Sequence, residues 1–196
     1  MAAPTKLNLK IYQGSTFRQI LRWESSTKVY VPITGISKSA PMVVTAPNHG
    51  MPVGWRAKVT NAGGMKEVNT LDYNIGTSVA TNTVTFNQVN SLGFTTYTSG
   101  GVLEYNQPTP ISNLTARMQI REKITSSSFI HEMTTENGGV IFDNTNKTIT
   151  LLINSTTTAG FDFNTAIYLL EFQDTSSGDT IPFATGSITL QREVTR

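Results

Sequence analysis

The stretch TARMQIRE, residues 115–122, decides the fold class, because Ala116, Met118 and Ile120 alternate with Arg117, Gln119 and Arg121. A period of two sends successive side chains to opposite faces, so the segment reads as a strand with one packed and one wet face. The pattern extends along the chain. FIHEMTT (129–135) reads as a strand, Glu136-Asn137-Gly138-Gly139 as a turn and VIF (140–142) as a short strand. After the turn cluster Asp143-Asn144-Thr145-Asn146, TITLLIN (148–154) places Ile149, Leu151 and Ile153 on one face. The Ser/Thr run in STTTAGFDF (155–163) is expected to cap a single helical turn that crosses between sheets. AIYLLEFQD (166–174) carries Tyr168, Leu170 and Phe172 on one face and Ile167 and Leu169 on the other, as expected of a central strand. DTSSGD (174–179) is a turn, and PFATGSITLQRE (182–193) closes the set. Near the start, LNLKIYQG (7–14) and FRQILRWES (17–25) give two more strands around Gly14.

Composition agrees with a β-protein. The 196 residues include 14% charged ones, below the usual share of about 25%. Thr, Ser and Asn are abundant, which suits pleated surfaces and turns. The absence of cysteine excludes disulfides, thiolate nucleophiles, Cys-ligated zinc and iron–sulfur centres. MAAPTKLNLKIYQG at the N-terminus lacks the apolar core of a signal peptide, and no run of about 18 apolar residues occurs. The expectation is synthesis in a cytosol without membrane insertion. A net charge of +2 with scattered Lys and Arg argues against a specialised nucleic-acid binder, which needs convergent cations.

The middle differs in texture. Between residues 38 and 107, short strands MVVT (42–45), RAKVT (56–60), TVTFNQV (83–89) and FTTYT (94–98) are punctuated by HG, NAGG and SGG turns. Short, regularly spaced strands without an amphipathic helix predict an all-β immunoglobulin-like β-sandwich, residues 1–37 and 108–196, interrupted by a small β-module, residues 38–107.

The flanking segments resemble a structural-protein family of tailed bacteriophages. The residues that carry the likeness are GSTF (14–17), VPITG (31–35), TARMQIRE (115–122), TTENGGVIF (134–142), TITLLI (148–153), YLLEFQD (168–174) and GSITLQREVTR (186–196), in the family's order. In that family the Thr-Gly segment runs almost directly into the ARMQIR strand, whereas this chain spends residues 38–111 in between. The insert resembles the FCCH-type β-module named from ubiquitin-activating enzymes and found in phage tail proteins. It does so through residues 40–54, which end in VVTAPNHGMPVG, residues 59–69, which end in GGMKEVN, TVTF (83–86) and YTSGG (97–101). That likeness implies a β-fold and a phage context. It does not imply ubiquitin activation, since the chain has no adenylation domain and no cysteine.

His49 and His131 are the histidines from which any acid–base or metal chemistry must start. A Ser-His-Asp triad would need one of them beside a hydroxyl and a carboxylate, and no G-x-S-x-G elbow is present. His49 lies in Asn48-His49-Gly50, where a turn and a ring-to-backbone bond suffice, and His131 sits beside Glu132 on what reads as a solvated strand face. A glycosidase pair would be sought among Asp162, Asp174 and Asp179, all in turns where Asp is expected anyway. Asp143-Asn144-Thr145-Asn146 lacks the length and distal Glu of a calcium loop. The expectation is therefore no catalytic residue, no cofactor and no metal. Trp55, Tyr97 and Tyr105 are candidate interface anchors if they face outward, and Phe86 and Phe94 belong to the same aromatic set. Residues 1–10 and QREVTR (191–196), with Arg192 and Arg196, are polar ends suited to reach a neighbouring subunit.

By resemblance, the expected function is a non-enzymatic virion component of the tail, collar or baseplate, made in the host cytoplasm. It would dock with other phage virion proteins as a homo-oligomeric ring. The alternatives are a capsid decoration protein, an adhesin whose insert binds the host surface, and a tail-associated depolymerase.

Overall fold

A computed structural model describes residues 3–193. With 49% strand and 5% helix, the chain is all-β, built from several sheets in a sandwich-type arrangement. The chain falls into two compact units. One comprises the residues before Trp23 and after Thr109; the other is Trp23–Thr109.

In chain order, the first unit begins with β1 (Thr5–Lys6), β2 (Leu9–Tyr12) and β3 (Phe17–Arg22). The second unit holds β4 (Glu24–Pro32), β5 (Gly35–Ile36), β6 (Met42–Thr45), β7 (Arg56–Thr60), a 3-10 turn (Lys66–Thr70), β8 (Asn74–Ile75), β9 (Ser78–Val79), β10 (Thr83–Phe86) and β11 (Val102–Pro108). The chain then returns to the first unit with β12 (Leu114–Arg121), β13 (His131–Thr134), β14 (Val140–Asp143), β15 (Thr148–Ile153), α1 (Ser155–Ala159), β16 (Thr165–Asp174) and β17 (Thr180–Gln191).

In the first unit, a six-stranded sheet in the order β1-β17-β16-β12-β13, with β2 also on β17, packs against the three-stranded sheet β14-β15-β3. The alternation read from sequence is the packing pattern. Ala116, Met118 and Ile120 of β12 and Tyr168, Leu170 and Phe172 of β16 are buried, as are Ile149, Leu151 and Ile153 of β15. Phe172 meets Phe142 of the other sheet edge-on at 5.5 Å between centroids, a geometry that aligns ring edge with ring face. The N-terminal segment, expected to reach outward, instead adds β1 and β2 in parallel to the free edge of β17. Between them the backbone at Leu7 comes so close to Gly186 that a Cβ there would overlap the Leu7 carbonyl oxygen. Tyr168 Oη donates to that same carbonyl at 2.7 Å. The helical turn α1 forms as expected, with Asn154 rather than a Ser or Thr as its cap, Oδ1 accepting from Thr157 N at 2.8 Å.

In the second unit, sheets β5-β6-β10-β9 and β4-β11-β7-β8 share one core. Met42, Val44, Val84 and Phe86 come from one sheet and Ala57, Val59, Leu103 and Tyr105 from the other, with Trp55 filling the centre. Segments 42–45 and 56–60 are strands as read. FTTYT (94–98) is not: it runs as irregular backbone tied to the Gly63-Gly64 turn, Thr98 N donating to Gly63 O at 3.0 Å.

The division lies at Trp23 and Thr109, not at residues 38 and 107. The reason is pairing: β4 runs antiparallel to β11, with Val31 opposite Leu103 and Val29 opposite Tyr105, so residues 24–32 are held by the second unit. VPITG, assigned to the flanking sandwich by resemblance, therefore falls in the second unit as well. The chain leaves and re-enters the first unit at neighbouring points, since Thr109 N donates to Trp23 O at 2.9 Å.

Candidate functional site

A polar constellation lies on the outer face of the β4-β11-β7 sheet. In β11, Leu103 and Tyr105 point into the core, so Glu104 between them points out. Its register neighbours are Tyr30 on β4 and Lys58 on β7. The Glu104 side chain is nonetheless only 7% exposed, because three groups close over it. Lys28 Nζ donates to Oε1, Tyr73 Oη donates to the same oxygen at 2.5 Å, and Lys58 Nζ stands 3.7 Å from it. The Tyr73 ring carries cations around it, with Lys58 Nζ at 5.2 Å, the Arg56 guanidinium at 5.7 Å and Lys28 Nζ at 5.9 Å from its centroid. Arg56 also grips Glu24 with two nitrogens, Nε to Oε1 at 2.8 Å and Nη2 to Oε2 at 2.7 Å, the fork geometry that makes guanidinium–carboxylate pairs specific. Asn106 Nδ2 adds a third donor to Glu24 at 3.1 Å.

The electrostatics follow from these contacts. The Lys28 bond, then the Tyr73 hydroxyl, hold the Glu104 carboxyl below its ordinary range. The bond to Glu104, then that to Tyr73, raises Lys28. Burial, then the bond to Glu104, push the Tyr73 phenol up, and Glu24 raises Arg56. Three cations against two carboxylates leave a positively biased patch, rigidified by mutual bonding, with Tyr30 standing 57% exposed beside it. Such a face presents Arg and Tyr, the residue types that anchor protein interfaces, already fixed in place.

The aromatic anchors expected from sequence sit elsewhere. Trp55 is fully buried and Tyr105 is 4% exposed, so neither is a surface anchor. Trp55 Nε1 donates to Asn106 O at 2.7 Å, and Tyr105 Oη to His49 O at 2.5 Å, satisfying the polar tip that a buried Trp or Tyr must place. Tyr97 is half-buried against the same core and donates to Gly100 O at 2.9 Å and Ile33 O at 3.2 Å. Arg192 is exposed and pairs with Asp162 at 2.9 Å. Arg196 lies outside the described residues. None of these four described positions joins the Glu104 constellation.

His49 is buried, with both ring nitrogens engaged. Met51 N donates to Nδ1 at 3.0 Å, which leaves Nε2 as the donor to Ala80 O at 2.7 Å. His131 is not on a solvated face: it is half-buried, its ring 5.8 Å from that of Phe161, and burial lowers its pKa. Asp143, Asp174 and Asp179 are spent on turns, whereas the exposed Asp162 pairs with Arg192. Asp143 Oδ1 accepts from Thr145 N and Asn146 N at 2.9 and 3.0 Å while Oδ2 takes Asn146 Nδ2 at 2.7 Å, and Asp174 Oδ1 accepts from Ser176 N at 2.7 Å.

Lys28, Arg56, Lys58, Tyr73 and Glu104 were not singled out by sequence. A signal existed, since Lys28-Val29-Tyr30-Val31, Arg56-Ala57-Lys58-Val59 and Leu103-Glu104-Tyr105-Asn106 each alternate polar with apolar. What the one-dimensional pattern lacks is which strands are neighbours, and so which polar phases share a face. No protein-family model matches the chain, and no curated protein matches it.

Proposed function

We propose that this protein is a non-enzymatic structural component of a tailed-bacteriophage virion, in the tail, collar or baseplate region, acting by protein–protein docking in a symmetric assembly. The observation that carries the reading is the placement of the family-like segments. GSTF, TARMQIRE, TTENGGVIF, TITLLI, YLLEFQD and the described part of GSITLQREVTR keep the family's order and fall in the first unit, whereas VPITG (31–35) falls in the second β-unit, which is spliced between β3 and β12. The insert supplies the bonded Tyr73–Arg56–Lys58 face described above, with Tyr30 exposed beside it, whose chemistry suits docking on another protein surface. Repetition around a ring would multiply individually modest contacts into avidity. On this reading the protein is made in the host cytoplasm and resides in the particle.

Quantitative mass spectrometry of gradient-purified virions tests this. A structural ring protein is present at a fixed copy number per particle, and particles lacking it are incomplete. A protein absent from the particle, or one whose purified form turns over host glycans, contradicts the proposal. A protein bound to the head at capsid stoichiometry would identify a decoration protein, and one that binds cells yet is dispensable for assembly an adhesin.

A further inference from the structure

The strand β13 ends the six-stranded sheet, pairing with β12 on one side and, among the described residues, with no strand on the other. Thr135 N donates to Ala116 O at 3.1 Å, and Met133 and His131 continue that inward-bonding phase in the register. The backbone groups of Glu132 and Thr134 therefore turn to the open edge. An open edge is a template for any extended chain. Here a side chain occupies it. Asn137 Nδ2 donates to Glu132 O at 3.0 Å, and Asn137 Oδ1 accepts from Thr134 N at 2.8 Å. One amide thus bonds the carbonyl before Met133 and the N–H after it. A residue of a parallel neighbour makes the same pair of bonds, so Asn137 stands in for one residue of a missing strand. Thr134 is 8% exposed, and its N–H would have little water to turn to if the amide left.

This plug has a chemical weakness. Asn137-Gly138 is the single Asn-Gly pair in the sequence. Glycine has no Cβ to screen its nitrogen, and Asn is thermolabile where that nitrogen can reach its Cγ. The bond from Gly138 N to Asn137 Cγ forms, the Cγ–Nδ2 bond breaks, and Nδ2 leaves as ammonia with the Gly138 proton. Water then opens the cyclic imide to an aspartyl or an isoaspartyl residue. In the folded chain both reacting groups are held. Asn137 Oδ1 also accepts from Gly139 N at 2.9 Å, and Gly138 N donates to Thr135 O at 3.4 Å. Both residues are nonetheless exposed, with open space beside Gly138, so water meets them whenever these bonds open. We propose that Asn137 is a modification site, whose deamidation unplugs the edge of β13. Neither product restores the bond to Glu132 O, because a carboxylate has no proton to give and sets oxygen against oxygen. The isoaspartyl form also adds a carbon to the main chain and shifts the carboxylate, so Thr134 N loses its acceptor as well. Loss of ammonia to solvent makes the change irreversible.

Two measurements on the purified full-length chain test this. Peptide mapping by mass spectrometry, after incubation of the chain folded and in urea, reads the conversion at Asn137. Amide-resolved hydrogen exchange reads the edge. Conversion is expected to be at least about tenfold slower in the folded chain than in urea, because the bonds to the amide must open first. The isoaspartyl fraction of the aged protein, separated by chromatography, is expected to exchange Thr134 N–H at least about tenfold faster than fresh protein. Asn137→Ala, at an exposed turn position, reproduces that fast exchange without incubation while the chain still unfolds cooperatively. Equal conversion rates in the folded chain and in urea overturn the proposal. So does a Thr134 N–H whose exchange is unchanged in the isoaspartyl fraction, or unchanged in Asn137→Ala.

Discussion

At the scale of single residues, several positions that invited chemical readings are packing and turn positions. Trp55 fills the centre of the second unit's core and bonds a β11 carbonyl, so Trp55→Ala removes both an indole's worth of contacts and a satisfied donor. Large-to-small changes of this type cost about 3–5 kcal/mol, which a urea titration would read as a lowered midpoint. The GGM turn has an equally physical explanation. Gly64 holds φ of 78°, and a Cβ there would overlap the Thr96 carbonyl oxygen, while Asn69 clamps Ala62 by accepting from its N at 2.8 Å and donating to its O at 3.0 Å. Titration also acts residue by residue. His131 is lowered from 6.5 by burial, so the unfolded chain binds its proton first and stability falls as pH drops below that value. Glu104 is lowered from 4.5, and the stability it confers is lost on further acidification through its folded pKa. Burial pushes Tyr168 up to about 12 and raises Tyr105, so above pH 10 the unfolded chain loses these protons first and stability falls again. The expected urea midpoint is flat between these limits and declines on both sides; His131→Gln removes the first part of the acid limb. A midpoint that rises toward pH 5 contradicts these assignments.

At the scale of elements, strands with clean alternation were legible in the sequence to within a residue or two. TARMQIRE, TITLLIN and AIYLLEFQD became β12, β15 and β16 with the inward faces read from their apolar phase. The helical turn was legible too, although its cap is Asn154; Asn154→Ala should cost about 1 kcal/mol, measured by thermal unfolding, whereas Ser155→Ala should be nearly neutral. What failed were inferences that depend on partners. FTTYT has β-rich composition but spends its hydrogen bonds on the glycine turn, and β4 looked like part of the flanking sandwich because only its pairing with β11 assigns it elsewhere. The Glu104 constellation was illegible for the same reason. Its five residues come from β4, β7, β11 and the segment before β8, and nothing in a linear pattern says that these meet.

For the whole molecule, the chain is a β-unit interrupted by another, and the ends of the interruption are adjacent. Excising Trp23–Thr109 and bridging Arg22 to Pro110 with a short Gly-Ser linker should leave a first unit that unfolds cooperatively, since β3 keeps its pairing with β15 and β12 with β16. The isolated Trp23–Thr109 segment, which keeps both its sheets and its core, should also fold; aggregation of both pieces would contradict the division. Six of the seven family-like segments fall in the first unit and VPITG in the second, and the phage docking role proposed above rests on that likeness. The most direct measurement is a reconstruction of the intact virion at side-chain resolution. Density for this chain is expected in the tail, collar or baseplate, repeated by the local symmetry and contacting neighbours through outer sheet faces. A particle complete without this density would contradict it.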